Sequence, residues 1–352
     1  MAYTTIDDPS KYFQTKVYTG TGSSLALTFD GNSDLQPDFV WVKSRTNAYS
    51  HYLYDSTRGV QKRLLTDSTA AESTLAQGLT AFGSDGMTFG TDAGANESSD
   101  AHVAWGWKAN GGTTSSNSTG DITTTVQTDS TSGFSVITYT GNNTDDQTIG
   151  HGLGAVPGFS MFKSRDGAVA GTGNWVIQHQ SLSGTEYLFM TTAAKSSTNN
   201  NFKSTPTSSI FTLGNSDVNE SEDIVCYSWT PIQGYSRFGS FVGNGNDDGR
   251  CIWTGFKPSL VMIKRVNNSG AWHMYSGGTY GIHAGNEMQT RLEADTADAT
   301  KSHVYYQLDF LSNGFKFWEE GDNINGGDDT MIYCAWAEFP FVSSDGVPAT
   351  AV

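Results

Sequence analysis

The sequence predicts an all-β protein built as three tandem, homologous β-sandwich domains of jelly-roll-like type. Aromatic residues make up 12% of the 352 residues and charged residues only 16%, with 40 glycines. Many aromatics and hydroxyls with few charges suit pleated surfaces joined by polar turns. Short runs of alternating polarity end repeatedly in Gly, Asn, Asp or Ser, the pattern of strands closed by tight turns. The same markers also occur three times in the same order, which indicates repeated structure.

The first marker is the exit of an opening strand: Tyr18-Thr19-Gly20, Tyr139-Thr140-Gly141 and Phe241-Val242-Gly243. The second is a proline, an apolar run and a basic end. It reads Pro37-Asp38-Phe39-Val40-Trp41-Val42-Lys43-Ser44-Arg45, then Pro157-Gly158-Phe159-Ser160-Met161-Phe162-Lys163-Ser164-Arg165, then Pro258-Ser259-Leu260-Val261-Met262-Ile263-Lys264-Arg265. From copy to copy the glycine markers advance by 121 and then 102 residues and the prolines by 120 and then 101, so the two markers keep their spacing within one residue. A third marker alternates apolar and polar residues in Gly86-Met87-Thr88-Phe89, Ile210-Phe211-Thr212-Leu213 and Gly314-Phe315-Lys316-Phe317, the period of a half-buried strand. The fourth ends in Trp107, Trp229 and Trp336, each a short step after an aspartate. The predicted division is an N-terminal arm (1–10), a first repeat (11–110), a Gly/Ser/Thr-rich linker (111–132), a second repeat (133–235), a third repeat (236–342) and a C-terminal tail (343–352). Weak helical signals predict a turn or two at 69–76 and at 288–292.

The formal net charge is −16. Such a chain repels phosphates and anionic lipid surfaces, so neither nucleic acid binding nor membrane insertion is expected. No apolar run reaches spanning length, and the first residues lack a signal-peptide pattern. Cys226, Cys251 and Cys334 are an odd set with no C-x-x-C pair, expected to be free thiols.

No catalytic residue can be named. Nucleotide-binding and nucleophile-elbow motifs are missing, serine is too common for a triad to carry weight, and no enzyme is expected. An acidic loop precedes each closing strand, and its Asp92, Asn96 and Asp100, Asp217, Asn219 and Asp223, and Asp322, Asn325 and Asp329 are calcium candidates by their oxygen ligands. The competing and favoured reading is a turn in which these side chains bond their own backbone; no cofactor is otherwise expected. The histidines are His51, His102, His151, His179, His273, His283 and His303. They match no metal motif. His51, His179 and His273 fall near one strand of each repeat and are expected to be held far apart. Trp107, Trp229 and Trp336 recur and are expected in the core. Trp253 and Trp318 do not recur so plainly and are the glycan-binding candidates, since exposed aromatics mark recognition sites. Lys43, Lys163 and Lys264 are expected to be polar strand exits that meet acidic loops.

Several stretches resemble a family of repeated β-domains in tail fibre and virion structural proteins of tailed bacteriophages, marine and cyanobacterial ones above all. They are Lys11-Tyr12-Phe13-Gln14-Thr15-Lys16-Val17-Tyr18-Thr19-Gly20, the run from Pro37 to Arg45, Tyr54-Asp55-Ser56-Thr57-Arg58-Gly59, Val103 to Ala109, Gly133 to Gly141 and His151-Gly152-Leu153-Gly154. The resemblance implies a virion surface protein made in the host cytoplasm, a short tail fibre or spike contacting the host envelope. It implies other virion proteins as partners and, by analogy with fibres, a homotrimer; a host surface glycan or protein is the further partner. The alternatives are a capsid or tail decoration protein without a receptor and, behind both, a polysaccharide-degrading spike enzyme.

Overall fold

The strands Phe39–Ser44 and Phe159–Ser164 are buried at all six positions. A strand can hide both faces only when both are covered by other layers, and that requirement organises the molecule. The computed structural model describes residues 3–277 and 287–349, so His283 lies outside the described residues. The chain is all-β, with antiparallel sheets and, among the described residues, two four-residue α-helices, Ala93–Asn96 and Asp322–Asn325, and two single 3-10 turns, Pro9–Lys11 and Val304–Tyr306.

The first repeat forms a large sheet in the order Phe13–Thr19, Ala101–Trp107, Phe39–Ser44, Tyr52–Asp55, Lys62–Leu65, Ser73–Thr74. A small sheet of Leu25–Leu27, Gly86–Phe89 and Leu79–Gly83 covers one face. The same plan returns in the third repeat, from Ser236–Val242, Thr330–Pro340, Phe256–Arg265 and Trp272–Ser276 onward, with a small sheet of Cys251–Trp253, Gly314–Phe317, Leu308–Leu311 and Glu287–Met288. In the second repeat the large sheet centres on Phe134–Thr140, Asp223–Trp229, Phe159–Ser164 and Val176–His179, and its small sheet on Gln147–Gly150 and Ile210–Leu213.

Alternation along each central strand separates two cores. Val40 and Val42 face the first repeat's own small sheet, as Phe162 does in the second and Val261 and Ile263 in the third. Their neighbours Phe39 and Trp41, Phe159 and Met161, and Leu260 and Met262 point the other way, into a single core common to all three repeats. At its centre the rings of Trp107, Trp229 and Trp336 form a triangle with centroids 5.8, 5.4 and 5.6 Å apart, each pair edge to face.

The repeats close around this triangle as a ring. Strand register gives His51, Trp175 and Trp272 one equivalent position, and Leu65, Phe189 and Glu293 another. The Trp175 indole donates to the carbonyl of Leu65 (2.7 Å), Trp272 donates to that of Phe189 (3.0 Å), and His51 Nε2 meets that of Glu293 at 3.1 Å. Each repeat thus binds the preceding one, and the first binds the third. A second set runs the opposite way: Tyr227 donates to Asp55 (2.7 Å), His179 Nε2 meets the Tyr333 carbonyl (3.1 Å), and the Trp105 indole meets Ser276 Oγ at 3.3 Å. Asp55, His179 and Ser276 share one register position.

Residues 111–132, expected as a linker, are structured. Ser115–Asn117 and Thr124–Asp129 extend the second large sheet to seven strands, while Asp38 accepts from the amides of Ala109, Gly111 and Gly112 at 2.8 Å each. The two weak helical signals were misleading: Ser73–Thr74 and Thr290–Glu293 are strands, because pairing at a sheet edge overrides local propensity.

Candidate functional site

The near-threefold repetition provides an internal comparison for every position, and the outer face of the third small sheet is where it breaks. Along Gly314–Phe317 and its neighbours, Ile252, Phe315, Phe317, Leu308 and Phe310 are buried in the third repeat's own core. Trp253 and Trp318 lie outside that core at 50% and 41% exposure, whereas every other tryptophan is 1% exposed or less. The described residues have four exposed aromatic side chains, Trp253, Tyr305, Trp318 and Phe339. All four belong to the third repeat.

Register shows what stands at these positions elsewhere. Phe89, Leu213 and Phe317 are equivalent, so Trp318 corresponds to Gly90 and Gly214. The backbone amides of Gly90, Gly214 and Trp318 donate to Gly78 (2.8 Å), Asn201 (2.8 Å) and Gln307 (3.1 Å), so the main chain follows one path in all three. A Cβ on Gly90 would sit 2.6 Å from the Gln77 carbonyl oxygen and one on Gly214 would sit 1.9 Å from that of Asn200. The third repeat opens this position enough to carry an indole. Trp253, opposite Gly314, takes the place of Gly150, opposite Ile210, and of Thr28 in the first repeat.

Trp318 is fixed although it is exposed. Its Nε1 donates to Asp309 Oδ2 at 2.7 Å, and the Lys316 ammonium lies 4.5 Å from its ring centroid. Lys316 pairs with Asp248 at 2.5 Å. Trp253 packs edge to face on Phe341 at 5.3 Å. An open cleft of the third repeat is lined by Asn244, His303, Tyr305, Tyr306, Glu320 and Asp322, with no lysine or arginine among its walls; Trp253 lines a different cleft, with Tyr3, Gln180, Arg237 and Phe238.

The acidic loops act as clips. Asn96, Asn219 and Asn325 are fully buried. Their Oδ1 atoms accept from the amides of Thr21 (2.7 Å), Asn142 (3.1 Å) and Asn244 (3.2 Å), tying each loop to the exit of the opening strand. Gly20, Gly141 and Gly243 permit that approach, since a Cβ there would lie 2.1, 1.9 and 2.2 Å from a loop carbonyl oxygen. Asp92 caps Ala93–Asn96. Asp100 takes Asn47 (2.6 Å), Asp217 takes Thr172 (2.6 Å), Asp223 takes Thr140 (2.8 Å) and Asp329 pairs with Arg265 (2.9 Å). Asp322 begins the other short helix and is exposed. Among the described residues no three His, Cys, Asp or Glu side chains gather where they could hold a metal ion. These bonds to main-chain amides are of the kind the favoured turn reading expects, and the informative residue is the asparagine present in all three.

Lys43, Lys163 and Lys264 correct another expectation. They are 0–1% exposed, and their hydrogen-bond partners are backbone carbonyls. Lys43 donates to Ser44 (2.7 Å), Lys163 to Gly173 and to Ser68 of the first repeat (3.2 Å), and Lys264 to Gly270 (2.7 Å) and to Thr192 of the second repeat (3.3 Å). Burial lowers each ammonium from 10.5 to about 8. Between roughly pH 8 and 10 the unfolded chain therefore keeps protons that the folded chain has released, and stability rises with pH there. Above that window the buried tyrosines, raised by burial, reverse the trend. Urea unfolding at pH 7.5 and 9.5 should show a gain of roughly 1–2 kcal/mol per lysine, reduced stepwise by Lys163→Met and Lys264→Met. A flat profile across that window would contradict the assignment.

His51, His179 and His273 are buried, as are His102 and His151. His51 and His179 serve different seams and occupy different register positions, while His303 borders the open cleft. Burial holds His179 and His151 at about 4.

A family described as a domain of unknown function, DUF7483, matches residues 8–340, and the chain belongs to that family. No curated protein and no solved structure matches the chain.

Proposed function

For this member of the DUF7483 family we propose the role of a phage virion surface protein, a short tail fibre or spike whose third repeat faces the host envelope. The observation that carries the reading is the confinement of exposed aromatic side chains to one repeat of a near-threefold ring. Two repeats keep glycine, threonine or other small residues where the third carries indoles, and large exposed aromatics mark recognition surfaces. The virion itself is supplied by the resemblance to phage repeat domains. In this reading the homotrimer expected from fibres is replaced by one chain that brings three sheets around one axis, so that a single copy can cap a threefold shaft.

The test is the position of the chain on the particle, by antibody labelling or by fitting the ring into a virion density map. Density at the tail tip, with the third repeat outward, is expected. Density on the capsid surface would favour the decoration role instead, and absence from particles would overturn both.

A further inference from the structure

Resting on that reading, we propose that the outer face between Trp253 and Trp318 is a binding site for an uncharged polysaccharide. Trp253 lies opposite Gly314, and Trp318 is four residues further along the same line. At the rise of an extended strand their main-chain positions are offset by roughly 13 Å along the strand direction, a span of a few consecutive sugar rings. Sugar rings present flat arrays of C–H bonds that stack on indole faces, while their hydroxyls need donors and acceptors at the rim. Trp318 is already oriented: Asp309 anchors its N–H, and Lys316, itself held by Asp248, lies over one face of the ring, so the opposite face is the one offered for stacking. A surface ring immobilised before binding loses little freedom on contact, which favours affinity. Solvent gives no reason to fix a tryptophan in this way, and the equivalent glycines fold without one.

Charge selects among polysaccharides. Lys316 is already paired with Asp248. In the same repeat a cleft holds Glu320 and Asp322 with the hydroxyl-bearing rings of Tyr305 and Tyr306 and the amide of Asn244; Arg237 is the one cation in the cleft that Trp253 lines. The whole chain carries −16. Phosphorylated or uronic-acid polymers would meet net repulsion, whereas neutral hydroxyl-rich chains would find acceptors, amides and stacking faces together.

The experiment is affinity electrophoresis of the full chain in gels containing neutral glucan, mannan, galactan or xylan, or anionic polygalacturonate. Trp318→Gly and Trp253→Thr make the third repeat like its sisters at these positions, and circular dichroism verifies that they fold. We expect retardation by at least one neutral polymer, weakened tenfold or more by each substitution and unaffected by Trp272→Phe, which lies in the shared core. Retardation only by polygalacturonate, none by any neutral polymer, or equal retardation of wild type and both variants would overturn the proposal. Those failures leave placement on the particle untouched, so they are distinguishable from failure of the virion reading.

Discussion

Trp229→Ala should destabilise the whole chain by about 3–5 kcal/mol, the usual range for deleting a large buried aromatic, and the loss should spread through all three repeats. The Trp229 ring is 1% exposed. Its centroid lies 5.8 Å from Trp107 and 6.0 Å from Phe39 of the first repeat, 4.8 Å from Phe134 and 5.4 Å from Phe159 of its own, and 5.6 Å from Trp336 of the third. A cavity there removes contacts from three sheets at once, and a packed interior collapses only partly to fill it. Total stabilities of folded domains are about 5–15 kcal/mol, so the expected loss is a large fraction. Trp229→Phe should cost much less, because the Trp229 indole nitrogen has no hydrogen-bond partner to lose. Urea unfolding followed by tryptophan fluorescence and far-UV circular dichroism should give one coincident transition in wild type and variant. An early transition limited to one repeat, with the remainder unchanged, would refute a shared core.

Much of this architecture was legible. The strands, their order and the threefold repetition follow from markers such as Gly20, Gly141 and Gly243, because a close main-chain approach tolerates no Cβ and so forces the same residue at each copy. Trp253 and Trp318, singled out because they do not recur plainly, are the two that reach solvent, but non-recurrence alone is no guide: Trp41 and Trp105 have no tryptophan at the equivalent positions either and are buried. Ring closure was harder to see. It depends on contacts between residues far apart in sequence, such as His51 with Glu293, and the partners at equivalent positions differ in type: a histidine in one repeat stands where the others use tryptophan. Still, Phe39-Val40-Trp41-Val42 carried a usable signal, since an unbroken apolar run of strand formers means both faces are covered. A single sandwich per repeat leaves one of those faces bare. The lysine ending that run was expected at a polar strand exit because charged side chains are rarely buried; Lys43 is instead enclosed on carbonyls of its own repeat, while its counterparts Lys163 and Lys264 also use carbonyls of the preceding repeat.

The seam between the first and second repeats should be the most sensitive to a single charge change. Arg58 and Asp55 are fully enclosed. Arg58 Nε bonds Asp55, one terminal nitrogen reaches Glu72 at 2.8 Å, and the other reaches the Leu53 carbonyl at 3.2 Å and Tyr227 of the second repeat at 2.9 Å. Glu72 also takes Arg165 of the second repeat at 3.1 Å. Burial alone would lower the affinity of the guanidinium for its proton, but Asp55, Tyr227 and Glu72 outweigh it and hold the charge firmly. Removing one partner leaves the other charge enclosed without compensation, an effect of about 3–5 kcal/mol. Arg58→Met is therefore expected to destabilise by that amount in urea unfolding. Arg58→Met combined with Asp55→Leu should recover most of the loss, because an apolar pair needs no compensation. Equal destabilisation by the single and double variants would mean that packing by the arginine stem, rather than charge pairing, sustains the seam. The third repeat has Ser276 where the first has Asp55, so an uncharged contact suffices to join two sheets there. The ion network at the first seam adds specificity for its own neighbour rather than generic adhesion, and recovery in the double variant would separate the energy of that seam from its selectivity.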